Sequence, residues 1–178
     1  MAFTKQEVSG VGPYPYNFRI INSHVYAGGH PLNPATDFKN TDEQAKTILQ
    51  KLKSYGVQTV INLENSRAIR SRYKKLLDSE GLKEIHIPLN IVHMPNKDEW
   101  KEIITALDGT VFIHCKWGAD RTGAVVGRYL VERENYSPDD AYKAVISGGK
   151  MAGPMGGLKT SLPYIRLKDF IWYGPDKR

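Results

Sequence analysis

The stretch that decides the fold is Thr110-Val111-Phe112-Ile113-His114-Cys115-Lys116-Trp117-Gly118-Ala119-Asp120-Arg121-Thr122-Gly123. Residues 110–114 are an apolar, β-branched run and read as a buried strand. An apolar helix is expected over residues 122–134. A short loop between strand and helix gathers backbone N–H groups at the positive end of the helix dipole. Successive N–H groups in such a loop form an anion nest. Gly118 admits backbone conformations that a side chain would forbid. The segment therefore suits a phosphate dianion, with residues 116–121 (Lys116, Trp117, Gly118, Ala119, Asp120 and Arg121) as its cradle.

Cys115 at the start of that loop would feel the dipole, the N–H groups and Arg121, each of which favours thiolate over thiol. The thiolate can attack phosphorus in line. Arg121 offers a planar fork that bonds two phosphoryl oxygens at once, which Lys cannot do. Thr122 can donate its hydroxyl to the Cys115 sulfur and help it leave in a second step. His114 reads as support, holding the loop backbone from outside. A lone cysteine is more often an inert buried thiol. The spacing Cys-x5-Arg-Thr-Gly between strand and helix turns that balance towards nucleophilic chemistry.

Working outward, residues 1–17 are rich in Gly, Pro and Tyr and have no period, which predicts an irregular arm on the domain. Residues 18–21 and 24–27 read as short extended pieces around an Asn22-Ser23 turn. Thr41-Asp42-Glu43-Gln44 is a capping-box pattern, and Ala45, Ile48, Leu49 and Leu52 follow at helical spacing up to Gly56. Residues 57–63 read as a buried strand, 67–79 as a helix and 84–89 as another strand. Asn96 can cap a helix carrying Trp100, Ile103, Ile104 and Leu107. Ser137-Pro138-Asp139-Asp140 opens a further helix. Residues 148–157 form a glycine-rich segment with Lys150, and a final helix is expected over 161–172. Alternating strands and helices predict an α/β fold: one domain over residues 1–178, with a central, mostly parallel sheet flanked by helices.

Composition narrows the function. The chain has 178 residues, enough for one domain with a proper core. No apolar run is long enough to span a bilayer. The N-terminus lacks a signal-peptide pattern, which leaves a cytoplasmic protein, or a periplasmic or secreted one whose leader was removed, both open. One cysteine rules out an intramolecular disulfide and a cysteine-rich metal site. No metal site and no cofactor are expected. The net charge of +6 favours anionic partners. Nucleic acid is set aside, because no aromatic-plus-basic stripe or known motif is present.

His114-Cys115-x5-Arg121-Thr122-Gly123 resembles the signature of the protein tyrosine phosphatase superfamily, in its small dual-specificity-like branch. Val25-Tyr26-Ala27-Gly28-Gly29-His30-Pro31, Tyr55-Gly56-Val57-Gln58-Thr59-Val60-Ile61-Asn62-Leu63 and Ile87-Pro88-Leu89 are similar to runs in atypical bacterial and fungal members. The resemblance implies a dual-specificity-like phosphatase fold and hydrolysis of phosphate monoesters through a phosphocysteine, without a metal. It leaves the substrate open, since the superfamily acts on phosphoproteins, phosphoinositides and inositol polyphosphates, phytases included.

The resemblance also implies a general acid on a loop before the cysteine. Asn90 stands nearest that position and cannot donate the proton. Three candidates remain. Asp120 lies inside the loop, and likeness to bacterial relatives with an Asp-Arg-Thr-Gly ending ranks it first. Asp98 comes second; it also suits the first turn of a helix. His93 comes third. Lys116, Trp117 and the basic charge favour an inositol polyphosphate or a similarly multi-anionic substrate. A phosphoprotein is the alternative, and a phosphate-binding module without turnover is the further one. Arg67 and Lys150 could assist, although singly each reads as solvated surface charge.

Overall fold

The computed structural model describes residues 3–146 and 157–176. A five-stranded sheet forms the centre: β1 (Arg19–Ile20), β2 (Val25–Gly28), β3 (Thr59–Asn62), β4 (Lys83–His86) and β5 (Val111–His114). Their spatial order is β1-β2-β5-β3-β4. β1 runs antiparallel to β2, and the other pairings are parallel. β5 is thus the middle strand, buried along its length. That explains its unbroken apolar run, since a strand covered on both faces has no polar side.

Helices cover both faces. On one lie α1 (Asp42–Ser54) and α2 (Arg70–Ser79), joined by the arm through Phe3, Val8 and Tyr14. On the other lie α3 (Lys97–Ala106), α4 (Asp120–Arg133), α5 (Pro138–Ile146) and α6 (Ile165–Tyr173). Thr41 and Gln44 close a capping box on α1, and Asn96 and Glu99 close one on α3. The β1–β2 hairpin is held by the Asn22 side chain, whose Oδ1 accepts from the His24 and Val25 amides.

Several boundaries differ from the sequence reading. α2 begins at Arg70, not at residue 67, and β4 ends at His86. Ile87 and Leu89 still donate amides to Asn62 and Leu63, so the chain keeps to the sheet beyond the strand. The last helix opens with a 3-10 turn, Leu162–Tyr164, around Pro163. α4 starts at Asp120, two residues earlier than expected, so Asp120 and Arg121 belong to its first turn and not to the loop. An acid suits that turn because the exposed amide ends carry partial positive charge. Lys150 and most of the glycine-rich segment lie outside the described residues.

Candidate active site

The loop after β5 leaves the sheet at its middle, where the carboxyl ends of β2, β5 and β3 lie side by side. Cys115 is its first residue and is 2% exposed. Gly118 has φ 72, and a Cβ there would collide with the Gly28 carbonyl and the Gly29 nitrogen. Glycine is required on both counts. The Gly28-Gly29 pair therefore acts as a platform, and the loop rests directly on its backbone. The Gly29 amide donates to the Tyr16 carbonyl at 2.6 Å, and the His30 amide to the Lys116 carbonyl at 2.8 Å. The first bond ties the N-terminal arm to the exit of β2, and the second ties the loop to it.

His114 supports the loop from beneath. Its Nδ1 lies 2.9 Å from the Cys115 carbonyl oxygen, and its Nε2 lies 2.7 Å from the Tyr73 hydroxyl. A carbonyl only accepts, so Nδ1 carries the proton. Burial holds His114 down to about 4, so the ring is neutral and Nε2 accepts from Tyr73. Burial raises Tyr73 well above 10, which keeps it a donor. His30 packs against His114, with ring centres 4.8 Å apart, and burial lowers it well below 6.5.

Arg121 is fixed on the other side. Its Nη1 donates to the Leu63 and Leu89 carbonyls at 3.3 and 3.2 Å, beyond the ends of β3 and β4. Its Nη2 pairs with Glu64 at 3.5 Å. Burial works against the charge on Arg121, but Cys115 and Glu64 outweigh it, and the guanidinium is held above its ordinary value. Glu64 is 5% exposed and was absent from the sequence candidates. The signal was there: an acid directly after a buried strand must find a cation. Which cation it finds, 57 residues on, only the fold decides.

The other candidates are spread around this centre. Asp120 accepts from the Lys159 amide at 2.9 Å and from Lys159 Nζ at 2.8 Å, so both its oxygens are engaged. Asp98 sits in the first turn of α3, and His93 lies 3.4 Å from Glu99. Both line a cavity of about 690 Å³ between the 92–98 segment and α6, and none of residues 115–121 reaches that lining. Asn90 shapes that segment by accepting the Val92 and His93 amides on Oδ1. Lys116 pairs with Asp37 at 3.2 Å, and Trp117 stands exposed against Tyr16. Ala119 precedes α4, and Arg67 is exposed. Thr122 is fully buried but its hydroxyl has no partner, so the bond to the Cys115 sulfur expected from the sequence is not formed in this arrangement. Among the described residues no group of three or more His, Cys, Asp or Glu is placed to hold a metal, and no helix is long and apolar enough to cross a membrane.

With this geometry in place, comparison with known proteins is specific. The family described as "Polymorphic toxin system, DSP-PTPase phosphatase" (Tc-R-P) matches residues 37–135. A mouse protein, "Phosphatidylglycerophosphatase and protein-tyrosine phosphatase 1", is 23% identical over 128 residues, covering 72% of this chain and 65% of that protein. The chain spans less than two thirds of the curated relatives it matches. Among solved structures, PTPMT1 superposes with a TM-score of 0.61 at 22% identity, over 86% of this chain and 93% of that one. The core catalytic domain of the PP-IP phosphatase SIW14 from S. cerevisiae, solved with citrate, superposes with a TM-score of 0.61 at 15% identity, over 89% and 85%. At these identities the structural likeness establishes the fold.

Proposed function

This chain belongs to the DSP-PTPase phosphatase family of polymorphic toxin systems and is a cysteine-dependent phosphatase, and from that premise we propose that it cleaves phosphate monoesters at the loop of residues 115–119 and the first turn of α4 that follows it. The observation that carries the reading is the bracketing of this loop by Cys115 and a clamped Arg121. The Cys115 sulfur attacks phosphorus, the bond from phosphorus to the leaving oxygen breaks, and that oxygen takes a proton from the acid. Water then attacks the phosphocysteine, the P–S bond breaks, and the acid's conjugate base takes the water's proton. Arg121 and the loop amides hold the phosphoryl oxygens throughout, where charge builds in the transition state. The reaction requires no metal.

We assign the acid to Asp120, because it adjoins Arg121 and begins the helix that receives the phosphate. Lys159 must yield one carboxylate oxygen for this to occur. For substrate, we favour an inositol polyphosphate or a similarly multi-anionic phosphate ester. The net charge of +6 supports this, as do Lys116 in the loop and Trp117 exposed at its rim. The likeness to a PP-IP phosphatase and to PTPMT1, which has also been solved with PI(5)P, is compatible with it.

The test is a turnover panel of p-nitrophenyl phosphate, phosphotyrosyl peptide, phosphoinositide and inositol hexakisphosphate, with and without EDTA. Inositol hexakisphosphate should give the highest kcat/KM, and EDTA should leave it unchanged. Cys115→Ser should abolish turnover while retaining phosphate binding. Faster turnover of the phosphopeptide would replace the substrate class. Full activity in Cys115→Ser would overturn the mechanism.

A further inference from the structure

We infer that Arg19 is a positioning residue for Cys115: a buried guanidinium at the phosphate-loop end of the sheet whose counter-charge is the cysteine thiolate and, after attack, the phosphoryl group. This rests on the reading of Cys115 as nucleophile.

The placement follows from the register. Arg19 pairs with Ala27, which pairs with Ile113, two residues before Cys115. β1 is antiparallel to β2, so the chain before Arg19 leads towards the end where β5 gives way to the loop. The guanidinium turns that way, with Nη1 donating to the Asn17 carbonyl at 3.2 Å. Arg19 is 0% exposed. Its Nε and Nη2 are buried and have no hydrogen-bond partner. Among the described residues no carboxylate lies within ion-pair distance of it.

A buried cation without an anion is strongly destabilising, so one this enclosed needs a negative charge that the site itself supplies. Arg121 and Arg128, whose side chains are also largely buried, have Glu64 and Glu132. The groups around Cys115 are similarly balanced. Arg121 from α4 is paired with Glu64, Lys116 of the loop with Asp37, and Asp120 from α4 with Lys159. His114 from β5 and His30 after β2 are neutral, and Tyr73 from α2 remains a phenol. Arg19 is the cation left over. Burial draws it down to about 10 while Cys115 acts the other way, so it keeps its charge at neutral pH.

Cys115 is the one thiol in the chain, so alkylation by iodoacetamide reads it alone. The full chain, Arg19→Met and Arg19→Gln should be alkylated across a pH series, with circular dichroism melts to verify folding. The neutral variants should shift the profile to higher pH, slowing alkylation about tenfold on its acid side, the effect of one pK unit. Profiles that superpose on wild type would overturn the inference, whatever the change in melting temperature. If the variants do not fold, the Arg19 Nε–Hε resonance of the wild-type chain decides. It should titrate with the alkylation midpoint, and a resonance flat through that midpoint overturns the inference. Alkylation reports the thiol whether or not the chain turns over. Activity in Cys115→Ser would therefore defeat the functional reading without touching this measurement.

Discussion

Tyr73 and His114, 41 residues apart in sequence, share a buried hydrogen bond of 2.7 Å directly behind the candidate nucleophile. The Cys115 carbonyl sets the His114 tautomer, with the proton on Nδ1, and the Tyr73 hydroxyl completes it by donating to Nε2. A loop built from exposed amides needs such an outside tie, because its own carbonyls cannot turn inward without repelling the anion.

That arrangement makes stability sensitive to acid. His114 sits at about 4 in the fold against an ordinary 6.5, because burial penalises the imidazolium. Between pH 6.5 and 4 the unfolded chain therefore binds a proton that the folded chain refuses, and stability falls as pH falls. The loss from His114 should be on the order of 3 kcal/mol by pH 4, and His30 adds to it in the same direction. Urea unfolding at pH 7, 5.5 and 4 measures this. The decline should be shallower in His114→Gln; equal declines in the two chains would place the proton uptake elsewhere.

Gly118→Ala should damage both fold and activity. A methyl group there meets the Gly28 carbonyl, and φ 72 strains any side chain. Stability should drop by about 1–3 kcal/mol, the usual effect of overpacking. Turnover should fall at least about a hundredfold as the amides lose their aim. Denaturant melts and steady-state kinetics check the two together, and near-normal turnover would show that the loop does not bind the phosphoryl group.

Arg121→Lys keeps the charge but loses the fork that spans the Leu63 and Leu89 carbonyls and Glu64. kcat should fall by about a hundredfold or more. Glu64→Gln keeps the shape of the partner and removes its charge, so a smaller loss of about tenfold is expected. A double-mutant cycle should show strong coupling, with the second substitution adding little to the first. Independent, additive losses would mean that Glu64 does not act through Arg121.

The acid can be identified through the leaving group. Asp120→Asn should slow hydrolysis of inositol or alkyl phosphates strongly and p-nitrophenyl phosphate much less, since nitrophenolate departs without a proton. Asp98→Asn, on the far cavity, should match wild type. The reverse pattern would move the acid to Asp98 in the first turn of α3. Equal slowing of all substrates by both would leave His93 to be tested next.

Much of this protein was legible locally. The buried strand 111–114, the Cys-x5-Arg spacing, the capping box at Thr41 and the N-cap at Asn96 involve neighbours within a few residues, where chain connectivity alone constrains what can meet. Periodicity likewise sorted helices from strands, because burial of one face imposes it. The sequence by itself therefore determined the α/β alternation and the chemical character of the loop. The start of α4 was misplaced because no side chain caps Ala119, leaving no local mark of where the helix begins. Tertiary structure alone decided that Glu64 meets Arg121, that Lys159 meets Asp120 and that Arg19 is sealed from solvent. Those outcomes depend on the strand order β1-β2-β5-β3-β4, which places distant segments at one end of the sheet. Charges find partners by proximity in space, and periodicity along the chain carries no record of which strand becomes another's neighbour.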